Sequence, residues 1–91
     1  MEVEFDENKQ KTNLAKHGVS FLEAARIFLD PCFLAAPDDR KDYGEERRIA
    51  VGEVQGRVYV VVYTLRDEVA RIISARKAIE REHKKYRARQ A

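Results

Sequence analysis

The sequence predicts an α+β fold: a small, mostly antiparallel sheet with two N-terminal helices and a C-terminal helix. Three observations lead there. Residues 47–52, 57–66 and 69–76 are strand-like runs rich in Val, Ile and Tyr. Gln55-Gly56 and Asp67-Glu68 stand between them as two-residue connections, the length of a tight hairpin. Ahead of these runs, capping residues precede apolar side chains at helical spacing, and after them comes a basic stretch of helical composition.

In chain order, residues 3–5 suit a short strand. Residues 6–16 suit a helix, with Asp6 as its N-cap, Lys9 and Asn13 a turn apart, and Gly18 as a stop signal. Ser20 caps a second helix, with Glu23 at the capping-box position and Phe21, Ala24, Ala25, Phe28 and Leu29 as its apolar set. Pro31 ends it. Residues 32–36 read as an edge strand, and residues 37–45 as a polar, turn-rich loop. After the three strands, residues 77–88 read as a basic helix. Its large apolar residues are chiefly Ile79 and Tyr86, so it packs on the surface of the domain.

The chain has 91 residues, enough for a single domain spanning 1–91 with one modest core. Such a chain buries about two-thirds of the surface that its unfolded form exposes. Charged residues make up 37% and apolar residues 44%, which excludes a disordered chain. The net charge of +2 hides an asymmetry. Residues 1–45 carry six Lys/Arg against ten Asp/Glu, a balance of −4; residues 46–91 carry twelve against six, a balance of +6. The basic half is the place to look for nucleic acid, although an acidic front half packed against it would neutralise part of that charge. A single cysteine, Cys32, allows no intramolecular disulfide. With no apolar signal segment and no run of membrane-spanning length, a cytoplasmic location and no membrane partner are expected. Two distant histidines and one cysteine give no metal-ligand spacing, and no Gly-rich phosphate loop is present, so neither metal nor cofactor is expected.

The two hairpin loops define a register. Val54 then faces Arg57, Arg47 faces Thr64, Arg66 faces Val69, and Thr64 faces Arg71. Side chains alternate along a strand, so Arg47, Thr64, Arg66 and Arg71 share one face at one end of the sheet. Ile49, Val51, Val58, Val60, Val62 and Ile73 continue that face, while Arg76 falls on the other. Three guanidiniums at the end of an apolar face repel one another unless an anion joins them. Within the chain, Glu46 or the loop of Asp38, Asp39 and Asp42 can serve. From outside, a nucleic-acid phosphate can.

The residues collected so far resemble a known family. Asn13-x-x-Lys16-His17-Gly18-Val19-Ser20-Phe21, Glu46-Arg47, Val62-Tyr63-Thr64-x-Arg66 and Arg71-Ile72-Ile73-Ser74-Ala75-Arg76 are similar, in order and over nearly the full length, to the BrnT toxins. These are the toxin halves of type II toxin–antitoxin pairs. The family often has Trp-Asp near its start where Phe5-Asp6 stands here, a change of packing. The resemblance implies a RelE-like fold and an RNA-cleaving activity that arrests translation. It also implies a cognate BrnA-like antitoxin with a DNA-binding domain, through which the pair reaches operator DNA.

Metal-free RNA cleavage uses the ribose 2′-hydroxyl as nucleophile. It needs a base for that proton, an acid for the 5′-oxygen, and positive charge for the phosphorane-like transition state. Arg66 and Arg71 are the expected phosphate clamp, with Arg47 beside them; their alternative role is in structural ion pairs. His17 is the candidate acid or base, or else a cap on helix carbonyls. Glu46 is a general base or the partner that orients a neighbouring arginine. Lys16, Arg76 and Tyr86 are further candidate RNA contacts. The alternative for Lys16 is simple solvation, for Arg76 support of the C-terminal helix, and for Tyr86 packing on the sheet instead of stacking on a base. Three functions compete: a ribonuclease acting on free or ribosome-bound RNA, a non-catalytic RNA or ribosome binder, and a module that holds an antitoxin in a repressor complex. The antitoxin surface is either the basic cleft or exposed apolar residues of the second helix such as Phe28.

Overall fold

The computed structural model describes residues 2–40 and 44–89. Among the described residues, five strands form one mixed sheet accompanied by three α-helices. The chain order is β1 (Glu2–Glu4), α1 (Glu7–His17), α2 (Phe21–Ala24) continued by a 3-10 segment (Ala25–Leu29), β2 (Leu34–Pro37), β3 (Arg47–Val54), β4 (Arg57–Arg66), β5 (Val69–Lys77) and α3 (Glu80–Ala88). The strands lie in the order β1-β5-β4-β3-β2. Every pairing is antiparallel except that of β1 with β5 at one edge.

Both hairpin turns form where the sequence places them. Gln55 and Gly56 have φ of 49° and 81°, and Asp67 and Glu68 have φ of 49° and 67°. Two successive left-handed residues match the right-handed twist of the flanking strands. The turns seat Arg47 opposite Thr64, Thr64 opposite Arg71, and Arg66 opposite Val69. Beyond that point the predicted register fails. Tyr63 pairs with Ile72 but Val62 pairs with Ser74, so Ile73 is an extra residue in β5. A bulge of this kind switches every later side chain to the other face. Arg76 therefore stands opposite Val60, on the same face as Arg71 and not on the opposite one. Ser74 takes the place opposite Val62 that the regular register assigns to Ile73.

The bulge makes the core continuous. On one face, Ala50 and Val54 of β3, Tyr59, Val61 and Tyr63 of β4, and Ala70, Ile72 and Ala75 of β5 join Val19, Phe21, Ala24 and Ile27 from the helical side. Phe5 packs edge-on against Phe21 with ring centroids 5.5 Å apart. The other face carries Ile49, Val51, Val58, Val60 and Val62 and is covered in part by α3.

The helices differ from expectation in length. α1 is as predicted at both ends: the Asp6 carboxylate accepts the Lys9 N–H at 3.0 Å, and left-handed Gly18 donates to the Leu14 carbonyl at 2.8 Å. The second helix is only one α turn long. Ser20 Oγ accepts the Glu23 N–H at 3.0 Å as an N-cap, but the chain then tightens into the 3-10 segment. That segment settles onto β3 at Gly52, where a Cβ would lie 2.7 Å from the Ile27 Cβ. Asp30 stops it by accepting the N–H groups of Cys32 at 2.9 Å and Glu53 at 2.8 Å. At the other end of the chain, β5 runs on through Lys77, and Ala78 donates to the Val58 carbonyl at 2.9 Å. These ladder bonds delay α3 to Glu80, three residues past the predicted start.

Asn13 ties α1 to the sheet. It is buried on a helix that is otherwise largely exposed. Its amide donates to the carbonyls of Val19 at 2.9 Å and Ala75 at 2.8 Å, and its oxygen accepts the Ala75 N–H at 3.1 Å. β1 pairs with β5 only as far as Arg71. Asn13 thus completes the β5 edge where the neighbouring strand has ended, as buried backbone groups require.

Candidate functional site

One row of residues crosses four strands: Arg47 on β3, Thr64 on β4, Arg71 on β5 and Glu4 on β1. Neighbouring strands lie about 4.8 Å apart, so Arg47 and Arg71 flank Thr64 across roughly 10 Å. Arg66 is two residues further along β4 on the same face. The predicted constellation of Arg47, Thr64, Arg66 and Arg71 is present because the bulge lies beyond it.

Among the described residues, the anions that meet Arg66 and Arg71 are not those proposed from the sequence. Arg66 bonds to Glu45 at 3.0 Å, and Arg71 bonds to Glu4 at 3.2 Å. Each contact is single, between partly exposed side chains, the kind of pair that contributes about 0–1 kcal/mol. An RNA phosphodiester can displace such partners, because its two free oxygens share one negative charge and fit the same planar donors. Glu46 instead approaches Arg48 at 3.4 Å. The Arg48 pKa is held up first by its hydrogen bond with Tyr63, its partner across the strands, and then by Glu46. Asp38 is engaged by Arg40 at 2.8 and 2.9 Å. Asp42 lies outside the described residues.

Arg76 is held quite differently. Its two terminal nitrogens grip both Glu82 oxygens, at 2.7 and 2.8 Å. Glu82 also accepts the Ile79 N–H at 2.9 Å at the start of α3. Arg76 holds the Glu82 carboxyl below its ordinary value, and Glu82 in turn raises Arg76. This bidentate pair locks the helix to the sheet, the supporting role open to Arg76 from the sequence. Tyr86 is 1% exposed and its hydroxyl donates to Asp30, so its ring presents no open face to a base. Burial, reinforced by the Asp30 carboxylate, drives the Tyr86 pKa upward.

His17 and Lys16 lie apart from the arginine row. Both are exposed at the end of α1 and line a groove with Lys9, Thr12, Ile73 and Ser74. Ile73 follows Arg71 by two residues, about 7 Å along the strand. The groove is therefore adjacent to the row but separate from it. At this helix end the Gly18 N–H bonds the Leu14 carbonyl. Among apolar candidates for partner contact, Phe28 is half-buried, edge-on to Phe33 and Tyr63. Leu22 and Leu29, 67% and 80% exposed, are the open residues of that segment.

Sequence reading missed Glu4, Glu45 and the unsatisfied state of Thr64. Thr64 is 2% exposed, and its Oγ1 has no hydrogen-bond partner among the described residues. Glu4 falls in the predicted strand at residues 3–5, but nothing local announces that this strand pairs with β5, which sets Glu4 beside Arg71, 67 residues away.

These features define a class: a small α+β protein with a mixed sheet, one face forming the core and the other carrying a row of arginines. The family model for BrnT, the ribonuclease toxin of type II toxin–antitoxin systems, matches residues 5–82. The chain belongs to this family. Membership in a type II system implies an antitoxin partner. No curated protein matches the chain. Among the described residues, no helix is long and apolar enough to cross a membrane.

Proposed function

We propose that this chain is a metal-independent endoribonuclease that cleaves RNA and thereby inhibits translation, with a RelE-like fold. Arg66 and Arg71 clamp the scissile phosphate, with Arg47 at the far side of the row. The observation that carries this reading is the contrast among the arginines. Arg66 and Arg71 sit on one sheet face under single, exposed carboxylate contacts, whereas Arg76 is fully committed to Glu82.

In the reaction, the 2′-oxygen attacks phosphorus and the bond from phosphorus to the 5′-oxygen breaks. The products are a 2′,3′-cyclic phosphate and a 5′-hydroxyl. The base takes the 2′-hydroxyl proton, the acid protonates the leaving oxygen, and the guanidiniums offset the charge on the phosphorane-like centre. His17 is the acid or base, brought from the adjoining groove with Lys16 beside it. Glu46 is the carboxylate assigned to the complementary proton, and to serve it must turn away from Arg48. The chain acts in the cytoplasm and is neutralised by a BrnA-like DNA-binding antitoxin, and the complex reaches operator DNA through that partner.

The test is cleavage of a labelled RNA by purified, antitoxin-free protein in EDTA, beside Arg66→Ala and His17→Ala. Loss of one charge-stabilising donor at a transition state costs about 10²–10³-fold. Cleavage that survives EDTA and falls by that factor in Arg66→Ala supports the clamp. Full activity in Arg66→Ala removes it. Inactivity of the folded wild type, repeated with translating ribosomes, leaves a non-catalytic binder.

A further inference from the structure

We infer that the Thr64 hydroxyl is a third donor of the anion site and bonds directly to an RNA phosphate held by the arginines. This rests on the clamp reading above and adds a residue to it. Thr64 lies midway between Arg47 and Arg71 in the cross-strand row, with Arg66 two residues along the same strand. It is 2% exposed, and its hydroxyl has no partner among the described residues. A buried hydroxyl without a partner costs stability.

The neighbouring residues sharpen the point. Val58, Val60 and Val62 occupy the preceding positions on this face of β4. Valine has nearly the shape of threonine and an equal preference for strands, without a hydroxyl to satisfy. A purely structural position would be served better by valine. The hydroxyl instead sits among side chains that gather an anion. Thr64 is buried in the free protein, so a phosphate reaches its hydroxyl only as the flanking side chains move aside: when it takes the place of the Glu4 and Glu45 carboxylates, the guanidiniums turn to it and the hydroxyl gains an acceptor.

The experiment measures binding of a 2′-O-methyl RNA oligonucleotide, which cannot be cleaved, by fluorescence anisotropy over a range of salt. Thr64→Val, Thr64→Ser, Arg66→Gln and Arg71→Gln are compared with the wild type, and each is melted without RNA. Thr64→Val is expected to bind about tenfold more weakly, the effect of one charge-assisted hydrogen bond. It is also expected to melt at the wild-type temperature or a few degrees higher. Thr64→Ser keeps the hydroxyl and binds within about twofold of the wild type. Each arginine variant lowers the salt slope by about one, whereas Thr64→Val leaves the slope unchanged.

Wild-type affinity in Thr64→Val, while the arginine variants bind weakly, overturns this inference and leaves the clamp intact. A Thr64→Val protein that melts lower than the wild type also overturns it, because the hydroxyl then stabilises the free protein. Wild-type affinity in both arginine variants overturns the clamp itself, and the role of Thr64 with it.

Discussion

Replacing Asn13 by alanine tests how α1, and with it His17 and Lys16, is held on the sheet. Asn13 makes three hydrogen bonds to backbone groups, two to Ala75 and one to Val19. At about 1 kcal/mol net for each bond, their loss destabilises the fold by about 3 kcal/mol. The stranded Ala75 and Val19 groups raise that to about 5 kcal/mol if no water reaches them. A small domain has about 5–15 kcal/mol in all, so the loss is a large share. The melting temperature should fall by roughly 12–24 °C, at about 4–8 °C per kcal/mol. Urea denaturation at pH 7 measures the energy directly. Asn13→Asp separates geometry from volume. It keeps an acceptor for the Ala75 N–H but sets a carboxylate against two carbonyl oxygens, so it should be at least as damaging as alanine. A loss below about 1 kcal/mol for alanine, or a well-tolerated aspartate, would refute the account of Asn13 as the completion of the β5 edge.

Other perturbations follow from the same geometry. Gly52→Ala places a Cβ 2.7 Å from that of Ile27, and the overpacking should cost about 1–3 kcal/mol in urea denaturation. Glu68→Gly relieves a left-handed residue at φ 67° and should stabilise the fold by about 0.5–1 kcal/mol, read as a higher melting temperature. Acid should weaken the docking of α3. Arg76 holds Glu82 below its ordinary 4.5. Burial pushes the Asp30 carboxyl up, but hydrogen bonds from Tyr86, Cys32 and Glu53 together bring it below 3.8. Both groups therefore take up protons in the unfolded chain at a higher pH than in the folded one. Their stabilisation is complete above the ordinary values and is lost as pH falls through the lowered ones. The unfolding midpoint should drop from about pH 5 downward, and Glu82→Gln should flatten that dependence.

Much of the arrangement is written locally. Two-residue turns set the register of Arg47, Thr64 and Arg71 because pairing runs without interruption from each turn to these residues, the bulge lying beyond them. Caps at Asp6 and Ser20 and the left-handed Gly18 mark helix ends because they act within a few residues of themselves. The family blocks around Lys16-His17-Gly18 and Arg71 to Arg76 were likewise visible as sequence.

Three things depended on the packed fold. The Ile73 bulge arises where β5 must present Ala70 and Ile72, then Ala75, to one core, and alternation read along the strand cannot announce that shift. It moved Arg76 to the face of Arg71 and gave it to Glu82. The second helix became a 3-10 segment where Ile27 meets Gly52, a contact between residues 25 positions apart. The carboxylates that meet Arg66 and Arg71 were decided across 21 and 67 residues, by strand order and not by spacing. By itself the sequence determined the strands, their turns and the arginine row, since those depend on neighbours in the chain. Which arginines are committed and which are lightly held was decided by the tertiary structure, because an ion pair forms with whatever the fold brings within reach.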